Sequence, residues 1–127
     1  MRTGHAERGS AALEFALVLP LLLVLTLAMV QVGLIVRDDL VLVGAARAGA
    51  REAAVTSDDA RVRDAVDQAA AGLDPNAVRL TVTHSKRGDP ASVSLAYEDP
   101  VRVPFVSWLF PSTITLHATS EMRQEYG

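Results

Sequence analysis

Residues 8–15 read Arg8-Gly9-Ser10-Ala11-Ala12-Leu13-Glu14-Phe15, and an apolar run over residues 16–30 follows them. A single carboxylate, Glu14, thus stands at the mouth of a segment with membrane-spanning composition. The hydrocarbon core of a bilayer is about 30 Å thick and a helix rises about 1.5 Å per residue, so about twenty residues cross it. Residues 15–34 meet that length, with Thr26 and Gln31 as the polar interruptions. A charge at the centre of such a span costs upward of about 2.5 kcal/mol. Glu14 lies near the end instead, where the simplest reading leaves it solvated at the interface. Gly9 closes a short polar leader containing Arg2, His5, Glu7 and Arg8. If the leader ends at Gly9, Ser10 becomes the first residue of the chain and Glu14 the fifth.

The rest of the composition narrows the function. With 127 residues the chain holds one domain, and its apolar half is concentrated at the N-terminus. The net charge of −3 and the absence of a long basic run argue against nucleic-acid binding. There are no cysteines, which excludes a disulfide framework and thiol chemistry. Arg2 and Arg8 precede the span, while Arg37, Asp38 and Asp39 follow it. That balance favours a cytoplasmic leader and a body outside the membrane. A secretory signal peptide needs an apolar core of about 7–15 residues with a small-residue cleavage site close behind. Here the apolar stretch reaches Val36, and the small triplet Ala48-Gly49-Ala50 lies too far downstream. An uncleaved single-span anchor is the stronger rival.

The run ERGSAALEFALVLPLLLVLTL, with the Leu19-Pro20 pair inside the helix, resembles the TadE-like pseudopilins (minor pilins) of tight-adherence, Flp-type pilus systems. The resemblance implies processing by a membrane-embedded aspartyl prepilin peptidase, which would cut between Gly9 and Ser10. A glycine suits such a site, because it disfavours helix where a protease needs extended backbone. In that family Glu14 and Phe15 would open the mature helix, with the glutamate paired to a free N-terminal amine of its own or a neighbouring chain. Such a pair would relieve a carboxylate that is expensive alone in lipid. The partners implied are the membrane, the prepilin peptidase, other pilin and pseudopilin subunits and a pilus assembly platform.

Four segments follow: a leader over 1–9, a transmembrane helix over 10–36, its extramembrane continuation over 37–56 and a small head over 57–127. Pro20 predicts a kink. It is either simply tolerated within a membrane helix or used as a joint when the subunit leaves the bilayer. Residues 40–55 place small residues four apart, Gly44 with Ala48, Ala45 with Gly49 and Ala46 with Ala50. This spacing lets another backbone approach closely. The first expectation is contact with the chain's own sheet, the second a contact with another subunit. A continuous helix from Ser10 to Thr56 would be roughly 70 Å long.

Ser57-Asp58-Asp59 marks a break and a new helix start. Val62, Val66, Ala69 and Leu73 recur at helical spacing, and Gly72 with Asp74-Pro75-Asn76 ends that helix. Period-two alternation then sets Val78, Leu80 and Val82 inward, followed by the connection Ser85-Lys86-Arg87-Gly88-Asp89-Pro90. Val93, Leu95 and Tyr97 form the next inward set. Ile114, Leu116, Ala118 and Met122 share a face of a last strand. A small antiparallel sheet laid on helices gives an α+β, pilin-like head. Its ending, Glu121-Met122-Arg123-Gln124-Glu125, also resembles the family's. Phe105, Val106, Trp108, Leu109 and Phe110 form the densest aromatic cluster. Most such clusters are core, and the sharper reading is a patch on the membrane interface or a partner pilin. No catalytic residues, metal site or cofactor are expected. Strand parity points His84 inward and His117 outward, the serines lack a nucleophile elbow, and no phosphate loop is present.

Overall fold

The computed structural model describes residues 4–86, 88–123 and 125, with side chains from Arg8 onward; Arg2, Arg87 and Gln124 lie outside them. Helix α1, Gly4–Val55, is 52 residues long, about 78 Å at the standard rise. It runs as one helix through Pro20, whose missing N–H leaves the Ala16 carbonyl without its intrahelical donor. At its far end the Thr56 amide still donates to the Glu52 carbonyl at 3.0 Å. The chain then turns at Ser57. Asp58 caps α2, Asp59–Ala69, its carboxylate accepting the Ala60 amide at 3.0 Å, and Asp59 adds negative charge in the first turn.

Three antiparallel strands follow in a meander: β1 (Val78–Thr83), β2 (Pro90–Pro100) and β3 (Thr113–Arg123), with β2 in the centre. Val78 pairs with Tyr97 and Val82 with Val93, while Leu95 faces Ala118 across the other ladder. The period-two expectation holds along β1 and β2. The architecture is therefore α+β, with β2 and β3 of the sheet lying on α1, and α2 packed beside them on the same helix.

The core forms where small residues let these layers close. Ala45, Ala46, Ala50 and Ala53 of α1 are buried beside Leu42, and Val62 and Val66 of α2 meet Val93 and Leu95 of the sheet in the same cluster. Each fully buried valine or leucine contributes about 1.5–3 kcal/mol relative to exposure. Gly49 sits at the tightest point, where an added Cβ would stand 2.6 Å from Val66 Cγ2 and 3.1 Å from Val93 Cγ1. Most of the small-residue segment, Ala45, Ala46, Gly49, Ala50, Ala53 and Ala54, thus serves the chain's own packing. Gly44 does not, because it is exposed with open space around it.

Three details differ from the sequence reading. α2 stops at Ala69, and Ala70 rather than Ala69 takes the buried position next to Val66, because the Ala70 amide closes the last turn onto the Val66 carbonyl at 2.8 Å. Met122, at the open end of β3, is exposed. The third concerns where the head first covers α1. Gln31, inside the segment expected to be membrane-spanning, is 1% exposed. At the other end the Glu125 amide donates to the Ala54 carbonyl at 2.8 Å, returning the chain to the tip of α1.

Gly49→Ala is expected to destabilise the head by about 1–3 kcal/mol, since both valines it would meet are β-branched and stiff. Gly44→Ala is expected to stabilise it by about 0.5–1 kcal/mol through helix propensity alone. Urea unfolding of the two variants in detergent, followed by circular dichroism, checks the pair.

Candidate functional site

The N-terminal motif lies within the first turns of α1. Gly9, Ser10, Glu14 and Phe15 are all exposed on α1. Ser10 Oγ donates to Glu14 Oε1 at 3.3 Å, as expected for residues one turn apart. A Cβ at Gly9 would meet nothing within 4 Å. The bond between Gly9 and Ser10 lies within the helix rather than in extended chain. From here the apolar side chains point outward with no cover from the chain, Phe15 62%, Leu17 72% and Leu21 69% exposed. Thr26 satisfies its hydroxyl on the Leu22 carbonyl at 2.8 Å, so it sits in the apolar run with its polar group paired.

A second site, not singled out by the sequence, joins this helix to the head. Gln31 Oε1 accepts two backbone amides of the segment after β2, Arg102 N at 3.1 Å and Val103 N at 3.0 Å. Two turns further along α1, the buried carboxylate of Asp38 accepts Arg102 Nη2 at 2.6 Å and Arg37 Nη1 at 2.9 Å. The same Arg102 nitrogen reaches Asp99 Oδ1 at 2.9 Å, and Asp99 is itself 1% exposed. One guanidinium therefore bridges two buried carboxylates from opposite layers. Burial pushes the Asp99 carboxyl above its ordinary value; Arg102 opposes this and Asp38 adds to it. The hydrogen bond to Asp38 raises Arg102 further, holding it charged. Asp99 Oδ2 has no hydrogen-bond partner.

This bridge holds the root of the aromatic segment. Val106 is fully buried, whereas Phe105 is 75%, Trp108 74% and Leu109 51% exposed, and Phe110 is half-buried. The expectation of an aromatic core thus fails for all but Val106 of the five. The missed residues left faint signals. Asp99 continues the inward parity of Val93, Leu95 and Tyr97, and Gln31 interrupts an apolar run. Their partner Arg102 is 64 residues from Asp38, beyond any local pattern. Pro20, Gly44 and Ala48 are not brought into either site. Among the described residues no group of three histidines, cysteines or carboxylates is placed to hold a metal ion. His84 pairs with Asp59 at 2.8 Å and His117 is exposed on the opposite face.

Comparison with known families adds one finding. Residues 9–51 match the family model described as TadE-like protein, a third of the chain that opens on Gly9 and ends in the small-residue segment of α1. This N-terminal segment is TadE-like. No curated protein and no solved structure matches the chain.

The charge bridge carries a signed prediction. A carboxyl whose folded value is raised binds its proton more readily in the folded chain, so Asp99 favours folding most at low pH. That contribution is lost as the pH rises from the ordinary carboxylate range through the raised folded value. Arg102→Met leaves Asp38 and Asp99 facing each other and is expected to cost about 3–5 kcal/mol at neutral pH, recovering in part on acidification. Asp99→Asn is expected to change neutral-pH stability by less than about 1 kcal/mol and to remove the rise on acidification. Denaturation midpoints measured against pH in detergent distinguish the two variants.

Proposed function

We propose that the protein is a minor pilin of the pseudopilin type, matured by a prepilin peptidase and used in assembling a tight-adherence pilus or a related secretion filament. The observation that carries this reading is the pairing of Gly9, Glu14 and Phe15 with an uncovered apolar helix inside the TadE-like match. The α1 helix is long and apolar enough to cross a membrane, and little of its apolar window is buried by the chain. Its exposed leucines need lipid before assembly and neighbouring helices after it; a pilin subunit meets both needs in turn.

Hydrolysis of the Gly9–Ser10 bond would add water across the amide, leaving a carboxylate on Gly9 and a free amine on Ser10. Ser10 and Glu14 already face each other one helical turn apart. The new ammonium would lie on the face that carries the carboxylate, so cleavage itself would supply the charge partner that Glu14 lacks in lipid. Because the bond is helical, the peptidase must first unwind it. Its position close to the helix start keeps that cost low, since terminal turns fray. The leader would stay in the cytoplasm, with the head and its Arg37–Asp38 pair on the other side. Pro20 would then be the joint that lets the helix bend on leaving the bilayer. Gly44, with the half-buried Ala48 beside it, would offer a helix contact to a neighbouring subunit.

Mass spectrometry of membranes with and without a prepilin peptidase is the direct test. A chain beginning at Ser10 only when the peptidase is present is the expected result. A chain that keeps Met1 or begins at Arg2 in both membranes overturns the maturation step. The protein would then be an uncleaved single-pass anchor whose head binds an envelope partner. Glu14→Gln is expected to be cleaved normally yet depleted from sheared filaments.

A further inference from the structure

The segment between β2 and β3 is built like a surface that leaves water. Residues 103–112 contain no charged side chain. Its ends are closed by the Val101 amide donating to the Ser112 carbonyl at 3.2 Å. Inside, the Leu109 and Phe110 amides both donate to the Val106 carbonyl, at 2.9 and 3.3 Å. Trp108 Nε1 donates to the Phe105 carbonyl at 2.9 Å. Pro104 and Pro111 have no amide hydrogen to satisfy. The loop thus closes several of its polar groups on itself, which is the condition for entering a low-dielectric layer.

Its outward face is held at a cost. Phe105 adopts φ of 66°, the left-handed region that an aromatic side chain avoids, with its ring 75% exposed. Below this loop α1 is apolar and largely exposed, and from Arg8 onward Gln31 is the first buried residue met. Val24, Leu27 and Ala28, on the same face as Gln31, are half-buried, whereas Leu25, Met29 and Val30 stand out. Residues 13–30 measure about 27 Å along the helix, close to the hydrocarbon thickness. With Gln31 at one edge of that layer, Ser10 and Glu14 fall at the other.

We propose that residues 104–111 form a foot that seats the head on the bilayer crossed by α1, with Phe105, Trp108 and Leu109 in the headgroup layer. The occupant of this patch is the lipid surface next to the helix exit, because the loop is tied through Gln31 to that exit and continues the apolar surface of α1. Tryptophan concentrates at such boundaries, where a flat apolar body and a polar edge meet two media. Gln31 would set the depth: its two bonds to Arg102 and Val103 fix where along the helix the foot stands. The proposal rests on the reading that α1 spans the membrane and goes beyond it by assigning the head a fixed seat.

Trp108 is the sole tryptophan of the chain, so its fluorescence reports this loop alone. The full chain would be reconstituted into phosphatidylcholine and phosphatidylglycerol vesicles carrying bromine either high or low on the acyl chains. Quenching that is stronger for bromine near the headgroup, with emission shifted to the blue, is the expected result. An inserted chain whose Trp108 stays unquenched and water-like overturns the foot while leaving the span intact. A blue shift without bromine quenching, growing with protein concentration, overturns it in favour of contact with a second copy. Flotation after an alkaline wash reads insertion separately; a chain that washes off overturns the span and the foot together. The combined variant Phe105→Ser with Leu109→Ser changes exposed side chains and is expected to insert as before while losing the shallow quenching. Unchanged quenching in that variant overturns the proposal.

Discussion

The guanidinium of Arg102, held between Asp38 of α1 and Asp99 at the end of β2, is the interaction on which the arrangement of helix and head depends. Hydrophobic packing above it is broad and made largely of alanine and valine, which fixes distance well but tolerates sliding. Charge pairs with buried carboxylates do not slide, because displacement strands ions in a low-dielectric place. The bonds from Gln31 extend the same restraint downward. Together they set the register of the sheet along a helix that offers a repetitive small-residue surface.

α1 is in effect two helices of different chemistry joined without a break. Its apolar segment up to Val30 is largely uncovered by the chain; beyond it one face, rich in small residues from Ala45 to Ala54, is buried by the head. That contrast explains why one continuous helix carries both a lipid-facing surface and half of a folded core. It also explains two glycines of the distal half, Gly44 and Gly49. They are five residues apart and so point about 140° away from each other. One therefore lies under the sheet while the other looks outward.

The sequence showed the elements because they follow strong periodicities. The apolar run announced α1, Asp58 and Asp59 announced the start of α2, and period-two alternation placed Val78, Val93, Leu95 and Tyr97 inward. The N-terminal motif was legible for a different reason, being contiguous and short. The charge bridge was hidden because its members stand at positions 31, 38, 99 and 102, each with a plain local explanation: an interruption, a flank, a turn, a loop. The aromatic segment was misread by its most ordinary expectation. Five apolar residues in eight have the same composition whether they fill a core or coat a surface. What decides is the tether to Gln31 and Asp38, which holds the loop beside the helix instead of under the sheet.

The return of Glu125 to the Ala54 carbonyl gives the molecule a mechanical character. The head leaves α1 at Val55, folds back beside it and returns to the same tip at Glu125. It is mounted in parallel with the helix rather than in series. A pull applied along α1, from its N-terminal end to its distal tip, therefore runs through hydrogen-bonded helix and bypasses the sheet. Strand pairing, often the weak link when a domain is loaded end to end, is not in the direct line of that load. Such a subunit can be drawn by its helix without its strands being the first element pulled apart.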